Sequence, residues 1–508
     1  MADSRIKNTR RNILFSYADT MISLIFRFVS RTVIVYTLGD AYLGLSSLFG
    51  SILEVLNMAE LGFSSAIVYN LYKPLAEKDT DKVCALLAYY RKVYRIVGIV
   101  IVVVGLAVMP FLPSLIKEGV PPGINLHILY LLYLANTGIS YFLFAYKTSL
   151  LDALQRTDLT KIAYSAASIT QYTLQILCLL VWKNYYAFMV VLILGTAVRN
   201  LFAAWIAKKK YPQYECRGEI GPETRKDIIS RVKGLLVCNI SGMTYTTFDS
   251  IILSTFVGLS AVAIYNNYLV IFQAVASMIV MIRGAMQASV GNSIASESVE
   301  KNYQDMLLWQ FLFAVIATWC VTCMMSLYQP FMIIWMGAER LLPMIDVILI
   351  CTWFFTDVVQ HSFFLYMSGN GLWWEMRWPY ILSTVCNLIL NIVLGKLLGT
   401  TGIIFSTLFS TAVFGLIWQC TILFRVYFRT SIFQFLLRFI GYLLVCGLSA
   451  GGAYLINSGI SVDGIPGLLV RGAVCTVFSG AVMTAIYSRL PIYRRAKIFA
   501  GRVIRRDR

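Results

Sequence analysis

Two arginines, Arg27 and Arg31, lie inside a long apolar stretch near the start of the chain. They are four residues apart, so on a helix they share one face. A guanidinium group presents a planar fork of hydrogen-bond donors that matches phosphate oxygens. The pair therefore predicts a binding surface for a phosphate-bearing anion.

Acidic and amide side chains in the same region can pair with these arginines. Asp19 precedes them in the first apolar stretch, and Glu54, Asn57 and Glu60 follow in the second. Charged groups at membrane depth are costly and need a partner or water. Two interpretations remain open: a closed network of ion pairs between neighbouring helices, or a set of polar groups that line a cavity.

A second polar pair lies near the middle of the apolar stretch 343–368. Asp357 and His361 are four residues apart, and His361 is one of two histidines in the chain. Such a pair can bind or relay a proton, or it can stabilise helix packing, and both alternatives remain open. Asp249 and Arg283 lie in two further apolar stretches and are candidates for the same cavity. Arg283 is grouped with the first two arginines as a phosphate ligand.

The stretches that carry these groups are long enough to cross a bilayer. A helix needs about 20 mostly apolar residues to do so. Of the 508 residues, 58% are hydrophobic, and the mean hydropathy is +0.72. We expect an all-α integral membrane protein with about fourteen transmembrane helices. The predicted spans are 11–36, 43–70, 84–110, 124–148, 161–182, 185–206, 233–256, 261–288, 305–332, 343–368, 378–398, 401–425, 433–457 and 466–489.

Basic residues collect in every second connection between these spans. They are densest at the N-terminus, in the stretch 208–233 and in the tail after residue 493. Because Lys and Arg are retained on the cytoplasmic side, both termini are predicted to be cytoplasmic. The net charge of +18 is then explained by contact with anionic lipid headgroups. Nucleic-acid binding would need a basic patch on one soluble domain, so it is not expected.

The longest connection, 208–233, is interpreted as a polar linker that separates two sets of six spans. The predicted parts are an N-lobe at 1–232, a C-lobe at 233–430, and a final helix pair with a basic tail at 431–508. Repeated bundles of this kind are typical of transporters.

The cysteines do not predict a metal site. Cys320 and Cys323 have the spacing of a ligand pair, but they lie within an apolar stretch and no second pair accompanies them. We expect no metal and no cofactor. H⁺, Na⁺ and the membrane potential all remain open as the driving force.

Three segments resemble bacterial polysaccharide flippases of the Wzx type, which belong to the multidrug/oligosaccharidyl-lipid/polysaccharide (MOP) exporter superfamily. The most specific is RTVIVYTLGDAYLGLSSLFGSILEVLNMAELGFSSAIVYNLYKPLAEKD at 31–79. The others are YFLFAYKTSLLDALQRTD at 141–158 and DSIILSTFVGLSAVAIY at 249–265. The likeness extends over essentially the whole chain.

The resemblance implies a fold, a substrate and a compartment. Two six-helix lobes would face a cationic cavity and work by alternating access in the bacterial cytoplasmic membrane. The substrate would be an undecaprenyl-diphosphate-linked oligosaccharide, whose diphosphate Arg27, Arg31 and Arg283 would bind. Glycosyltransferases or a polysaccharide polymerase are candidate partners.

Other functions remain as alternatives. A multidrug exporter of the same superfamily would favour acidic cavity residues over arginines, whereas an exporter of lipid II or of a teichoic-acid precursor would share the diphosphate chemistry. A membrane glycosyltransferase or polymerase would need a large outer loop for its active site. No such loop is predicted, and we do not expect an enzyme.

Overall fold

The computed structural model of the protein describes residues 2–58, 63–117, 119–154, 156–226, 228–229 and 247–505. Over these residues the chain forms α-helices, with short 3₁₀ and π segments and no strand. The all-α prediction is therefore confirmed. The chain divides into two compact units, Met1–Ala263 and Ile264–Arg508. The three-part division predicted from the sequence stays a prediction.

The first unit is built from eight named helices and a further helical segment at 247–256. The helices are α1 (Ala2–Leu38), α2 (Asp40–Asn57), α3 (Phe63–Glu77), α4 (Thr80–Val108), α5 (Leu126–Phe142), α6 (Ala145–Ala153), α7 (Thr157–Trp182) and α8 (Tyr185–Lys210). Helix α9 (Leu259–Ser296) begins at the end of this unit and continues into the second.

The second unit contains the rest of α9 and seven further helices. These are α10 (Val299–Met336), α11 (Met344–Gly369), α12 (Arg377–Leu398), α13 (Thr400–Phe428), α14 (Phe433–Ser458), α15 (Gly464–Tyr487) and α16 (Pro491–Arg505). Helix α13 is irregular, because π-helical turns interrupt it at Thr411–Trp418 and Phe424–Phe428.

Eleven helices in the described part are long and apolar enough to cross a membrane. Each of the eleven coincides with one predicted span. The second predicted span is divided between α2 and α3, and the fourth corresponds to the 17-residue helix α5. Most of the seventh, at 233–256, lies outside the described residues.

Polar side chains cap several helices at their N-termini. Asp79 accepts a hydrogen bond from the Lys82 amide at the start of α4, and Asn184 accepts two amides at the start of α8. Each cap satisfies backbone donors that have no partner within the helix. The polar residues between apolar runs therefore fix where the helices begin.

Large apolar side chains are exposed on the surface of each unit. Val103 on α4 is 59% exposed, and Leu469 and Val477 on α15 are 72% and 73% exposed. The interior is packed with aromatic rings, such as Phe311 against Tyr487 with ring centroids 5.1 Å apart. An apolar exterior of this kind is what a lipid environment requires and what water would penalise.

One glycine permits the turn between α1 and α2, and a second allows the close approach of α2 to the start of α9. Gly39 adopts a φ of 102° between α1 and α2, a conformation that other residues rarely adopt. At Gly44, an added Cβ would overlap the backbone carbonyl of Leu259. The contact joins the second helix of the first unit to the residues where that unit ends.

Replacing Gly44 by alanine should therefore destabilise the protein by roughly 1–3 kcal/mol, because the Leu259 backbone would have to move. Gly50→Ala is the matched control, since it lies on the same helix with no atom within 4 Å of the added methyl. That control should be neutral or stabilising by up to about 1 kcal/mol. Thermal unfolding in detergent measures both, and equal melting temperatures would contradict the close packing.

Candidate functional site

Arg27 and Arg31 lie on the side of α1 that is opposite its exposed apolar residues. Ile25, Val29 and Tyr36 are exposed apolar side chains, at 61%, 40% and 60%, and they share one face of the helix. Arg27 lies about 200° around the axis from Ile25, and Arg31 follows one turn later. The spacing predicted from the sequence therefore places both guanidinium groups away from the hydrocarbon.

The depth of Arg27 shows that it must face something other than lipid. It lies about 12 Å from the Asp19 end of the apolar stretch and about 16 Å from the Leu38 end. Its side chain is exposed, whereas Arg31 is half-buried and feels the positive charge of Arg27. A charge in hydrocarbon at this depth costs about 2.5–3.5 kcal/mol on insertion scales. An exposed arginine at this depth needs water, a bound anion or an acidic partner beside it.

Helix α1 is held in this orientation by α7. Phe26 stacks on Tyr172 with ring centroids 5.1 Å apart and planes 8° from parallel. Ser165 of α7 donates a hydrogen bond of 3.0 Å to the Asp19 carboxylate. The predicted polar residue Asp19 therefore helps to position the helix that carries the two arginines.

The other predicted polar residues of the first unit have partners of their own. The Glu54 carboxylate is half-buried and hydrogen-bonds the Thr247 side chain. Asn57 accepts a hydrogen bond of 3.1 Å from the Tyr141 hydroxyl, and Asp249 is fully buried. Glu60 lies outside the described residues. The described part contains no ion pair between Glu54 and either arginine.

Arg283 is the centre of a polar cluster in the second unit. Its guanidinium lies 3.3 Å from Nδ1 of His361 and 4.2 Å from the ring centre of Phe364. The negative charge of Asp357 also acts on it, at more than the ~4 Å of a direct ion pair. Since Asp357, His361 and Phe364 recur along one face of α11, that face forms a cradle for the arginine.

The contact with Arg283 fixes the tautomer of His361. A guanidinium can only donate, so Nδ1 must accept and the ring proton must be on Nε2. Nε2 is buried and has no hydrogen-bond partner among the described atoms. The Nδ1 lone pair, which would take up a second proton, already accepts the hydrogen bond from Arg283.

Sequence reasoning missed two features of this cluster. Phe364 was not selected, although it lies one turn after His361 and supplies a cation–π surface. Gln360 was not selected either; its side-chain amide donates a 3.1 Å hydrogen bond to the Thr411 carbonyl, where α13 becomes π-helical. A π turn often marks a functional site, but no sequence pattern announces it.

Comparison with solved structures identifies the fold. The chain superposes on the lipid II flippase MurJ in an inward closed conformation with a TM-score of 0.61 and 16% identity, covering 94% of this chain and 99% of MurJ. For an inward-facing multidrug resistance MATE transporter of the MOP superfamily, the TM-score is 0.59 and the identity 14%, and the match covers 80% of this chain and 94% of the transporter. For a mutant form of the Vibrio cholerae MATE transporter VcmN, the TM-score is 0.58 and the identity 10%, and the match covers 84% of this chain and 100% of VcmN. The chain therefore has the all-α membrane fold that these solved structures share.

The sequence places the chain in one family within this fold. The model of the family described as polysaccharide biosynthesis protein matches residues 9–286, more than half of the chain. This protein belongs to that family, so the resemblance found in the sequence is confirmed. A comparison with curated proteins finds no match.

If Arg283 and His361 support each other, the effects of replacing both should not add. A double-mutant cycle with Arg283→Gln and His361→Gln should give a coupling free energy of roughly 0.5–3 kcal/mol in thermal unfolding. The other histidine, the exposed His127 at the start of α5, provides the control. Arg283→Gln and His127→Gln should add to within about 0.5 kcal/mol. Additivity in both cycles would show that the 3.3 Å contact contributes nothing.

Proposed function

We propose that this protein flips undecaprenyl-diphosphate-linked oligosaccharides from the cytoplasmic to the outer leaflet by alternating access during polysaccharide biosynthesis. Membership of the polysaccharide biosynthesis protein family supports the substrate class. The observation that carries the proposal is an exposed arginine at mid-depth on the face of α1 that points away from lipid.

The diphosphate is the part of such a substrate that most needs help to cross. Its charges cannot enter hydrocarbon unaided, whereas the polyprenyl tail can remain among the lipids. Arg27 and Arg31 offer two adjacent forked donors for phosphate oxygens. Bound diphosphate would in turn neutralise two like charges that repel each other.

The same chemistry accommodates lipid II, which is the substrate named for MurJ, because it also carries a diphosphate. A multidrug exporter of the MATE type would instead require groups that attract cations. The arginine face of α1 favours a lipid-linked anion over a cationic drug.

The proposed setting is the bacterial cytoplasmic membrane, with both termini in the cytoplasm. The alternation of basic connections supports this orientation. Glycosyltransferases or a polysaccharide polymerase would be the protein partners, since they act on the same lipid-linked sugars before and after transfer.

Arg27→Lys or Arg31→Lys should weaken binding of a lipid-diphosphate oligosaccharide by roughly tenfold, since lysine keeps the charge but loses the planar fork. Binding to the purified protein in nanodiscs measures this directly. Arg217→Lys is the control, because Arg217 is an exposed residue paired with Asp81 at 3.4 Å.

A structural role for the arginines predicts a different result. Arg27→Lys and Arg31→Lys would then lower the melting temperature first, with binding per folded molecule unchanged. That outcome would defeat the proposal for these residues.

For the coupling ion, we propose a proton bound at Asp357. Its carboxylate is half-buried on the face of α11 that holds Arg283, whereas the Nδ1 lone pair of His361 is engaged by the arginine. A proton on Asp357 would release Arg283 from its negative neighbour. The contacts that Arg283 makes would then depend on whether Asp357 is protonated.

Asp357→Asn, which mimics the protonated carboxyl, should abolish the dependence of transport on a proton gradient and leave the protein folded. Transport into proteoliposomes with and without a pH gradient measures this. Asp305→Asn, outside the cluster, should retain the dependence. If Asp357→Asn keeps a normal response to the gradient, the Asp357–Arg283 pair has only a packing role.

A further inference from the structure

The start of the predicted polar linker at 208–233 is folded against the helices of the first unit. After α8 ends at Lys210, the Gln213 carbonyl accepts a hydrogen bond from the Cys84 thiol at 3.5 Å. Arg217 pairs with Asp81 at 3.4 Å, and Cys216 hydrogen-bonds the Tyr146 hydroxyl. Residues 211–218 therefore form a docked segment on α4 and α6.

A cavity of about 290 Å³ lies under this docked segment. Each of three helices contributes one basic residue to it: Arg91 from α4, Lys147 from α6 and Lys208 from α8. Tyrosines form much of the remaining wall, and Glu215 is the one acidic residue among the described residues that line it. The lining residues are Leu87, Arg91, Tyr146, Lys147, Leu150, Ala207, Lys208, Tyr211, Pro212, Tyr214, Glu215 and Cys216.

None of the three cations forms an ion pair with a carboxylate in the described part of the chain. Among the described side chains, no carboxylate oxygen lies within ~4 Å of the side-chain nitrogens of Arg91, Lys147 or Lys208. Elsewhere in the protein exposed lysines do find such partners, as Lys301 does with Glu297 at 2.6 Å. Within the described part of the chain, three cations and one carboxylate, that of Glu215, therefore line the cavity.

Burial makes the positive charge of Lys147 more costly, so this ammonium group has a greater need for a negative partner. The residue is half-buried, and burial lowers the pKa of its ammonium group below the usual value. The nearby positive charge of Lys208 lowers the pKa further, although Glu215 and Cys216 oppose this. An anion with more than one negative charge would relieve the repulsion at all three cations.

We propose that this cavity binds a phosphate or diphosphate group. Arg91 supplies a fork of donors, the two lysines supply point charges, and the tyrosine hydroxyls can donate to further oxygens. The volume is just below the range of about 300–1,000 Å³ that holds drug-sized ligands, so it suits a compact anionic group. The group belongs either to a soluble phosphate ester or to a lipid headgroup. In both cases it would contact the docked segment and α6 at the same time.

Titration of the purified full chain with inorganic pyrophosphate, followed by calorimetry, tests the site. Because Arg27 and Arg31 are proposed to bind diphosphate as well, the titration is made in an Arg27→Lys/Arg31→Lys background. Lys147→Gln and Arg91→Gln should each weaken pyrophosphate binding by roughly tenfold. Lys209→Gln is the matched control, since Lys209 neighbours Lys208 but lies 4.8 Å from the ring centre of Trp205 outside the cavity.

A second arm identifies the source of the phosphate. In nanodiscs of neutral lipid, added phosphatidic acid should weaken pyrophosphate binding if the site takes a lipid headgroup and should leave it unchanged if the site takes a soluble ester. If Lys147→Gln does not fold, Arg91→Lys, which keeps the charge, replaces it and should still weaken binding. Absence of pyrophosphate binding, or an equal loss in Lys209→Gln, would overturn the proposal. Neither result depends on whether the protein flips lipids.

Discussion

The cost of placing charge in hydrocarbon is the constraint on which the rest of this structure depends. At about 2.5–3.5 kcal/mol for a charged residue at mid-membrane, an arginine can be kept inside a span only if the helix turns it away from lipid. Helix α1 meets this condition because Ile25 and Val29 lie on one face of the helix and Arg27 and Arg31 lie on the opposite face. Stacking of Phe26 on Tyr172 and the hydrogen bond from Ser165 to Asp19 hold that rotation.

The two units meet this constraint in different ways. In the second unit Arg283 is supported by protein groups: the His361 nitrogen, the Phe364 ring and the nearby charge of Asp357. In the first unit Arg27 is left exposed next to a second positive charge. A supported arginine can serve as a switch whose state depends on its neighbours, whereas an exposed one is available to a ligand. This difference is why the proposals assign coupling to the second unit and substrate binding to the first.

Hydropathy predicted the spans because the length and the apolar composition of a membrane helix are properties of one continuous segment of the sequence. It did less well where the helices are short or divided, as for α2, α3 and α5, since tertiary packing decides where those helices end. The i, i+4 spacing likewise predicted that Asp357 and His361 share a face. The contact of Arg283 with that face joins residues 78 positions apart, and no periodicity within one helix encodes it. For the same reason the sequence could not show that Glu54 bonds Thr247 rather than an arginine.

The irregular helix α13 extends the polar cluster beyond the charged groups. A π turn changes the hydrogen-bond partners of the backbone within the helix, and inside a membrane every backbone polar group must be paired within the protein. The Gln360 amide donates to the carbonyl of Thr411, the first residue of the π-helical turn, and Gly415 keeps open the space that the amide occupies, since an added Cβ would lie 3.2 Å from it. Because Gln360 is the residue before His361, the α11 backbone that positions the histidine is tied to the π turn as well as to Arg283. A rotation of α11 that freed Arg283 would therefore also strain or break the Gln360 bond, so the two contacts oppose the same motion.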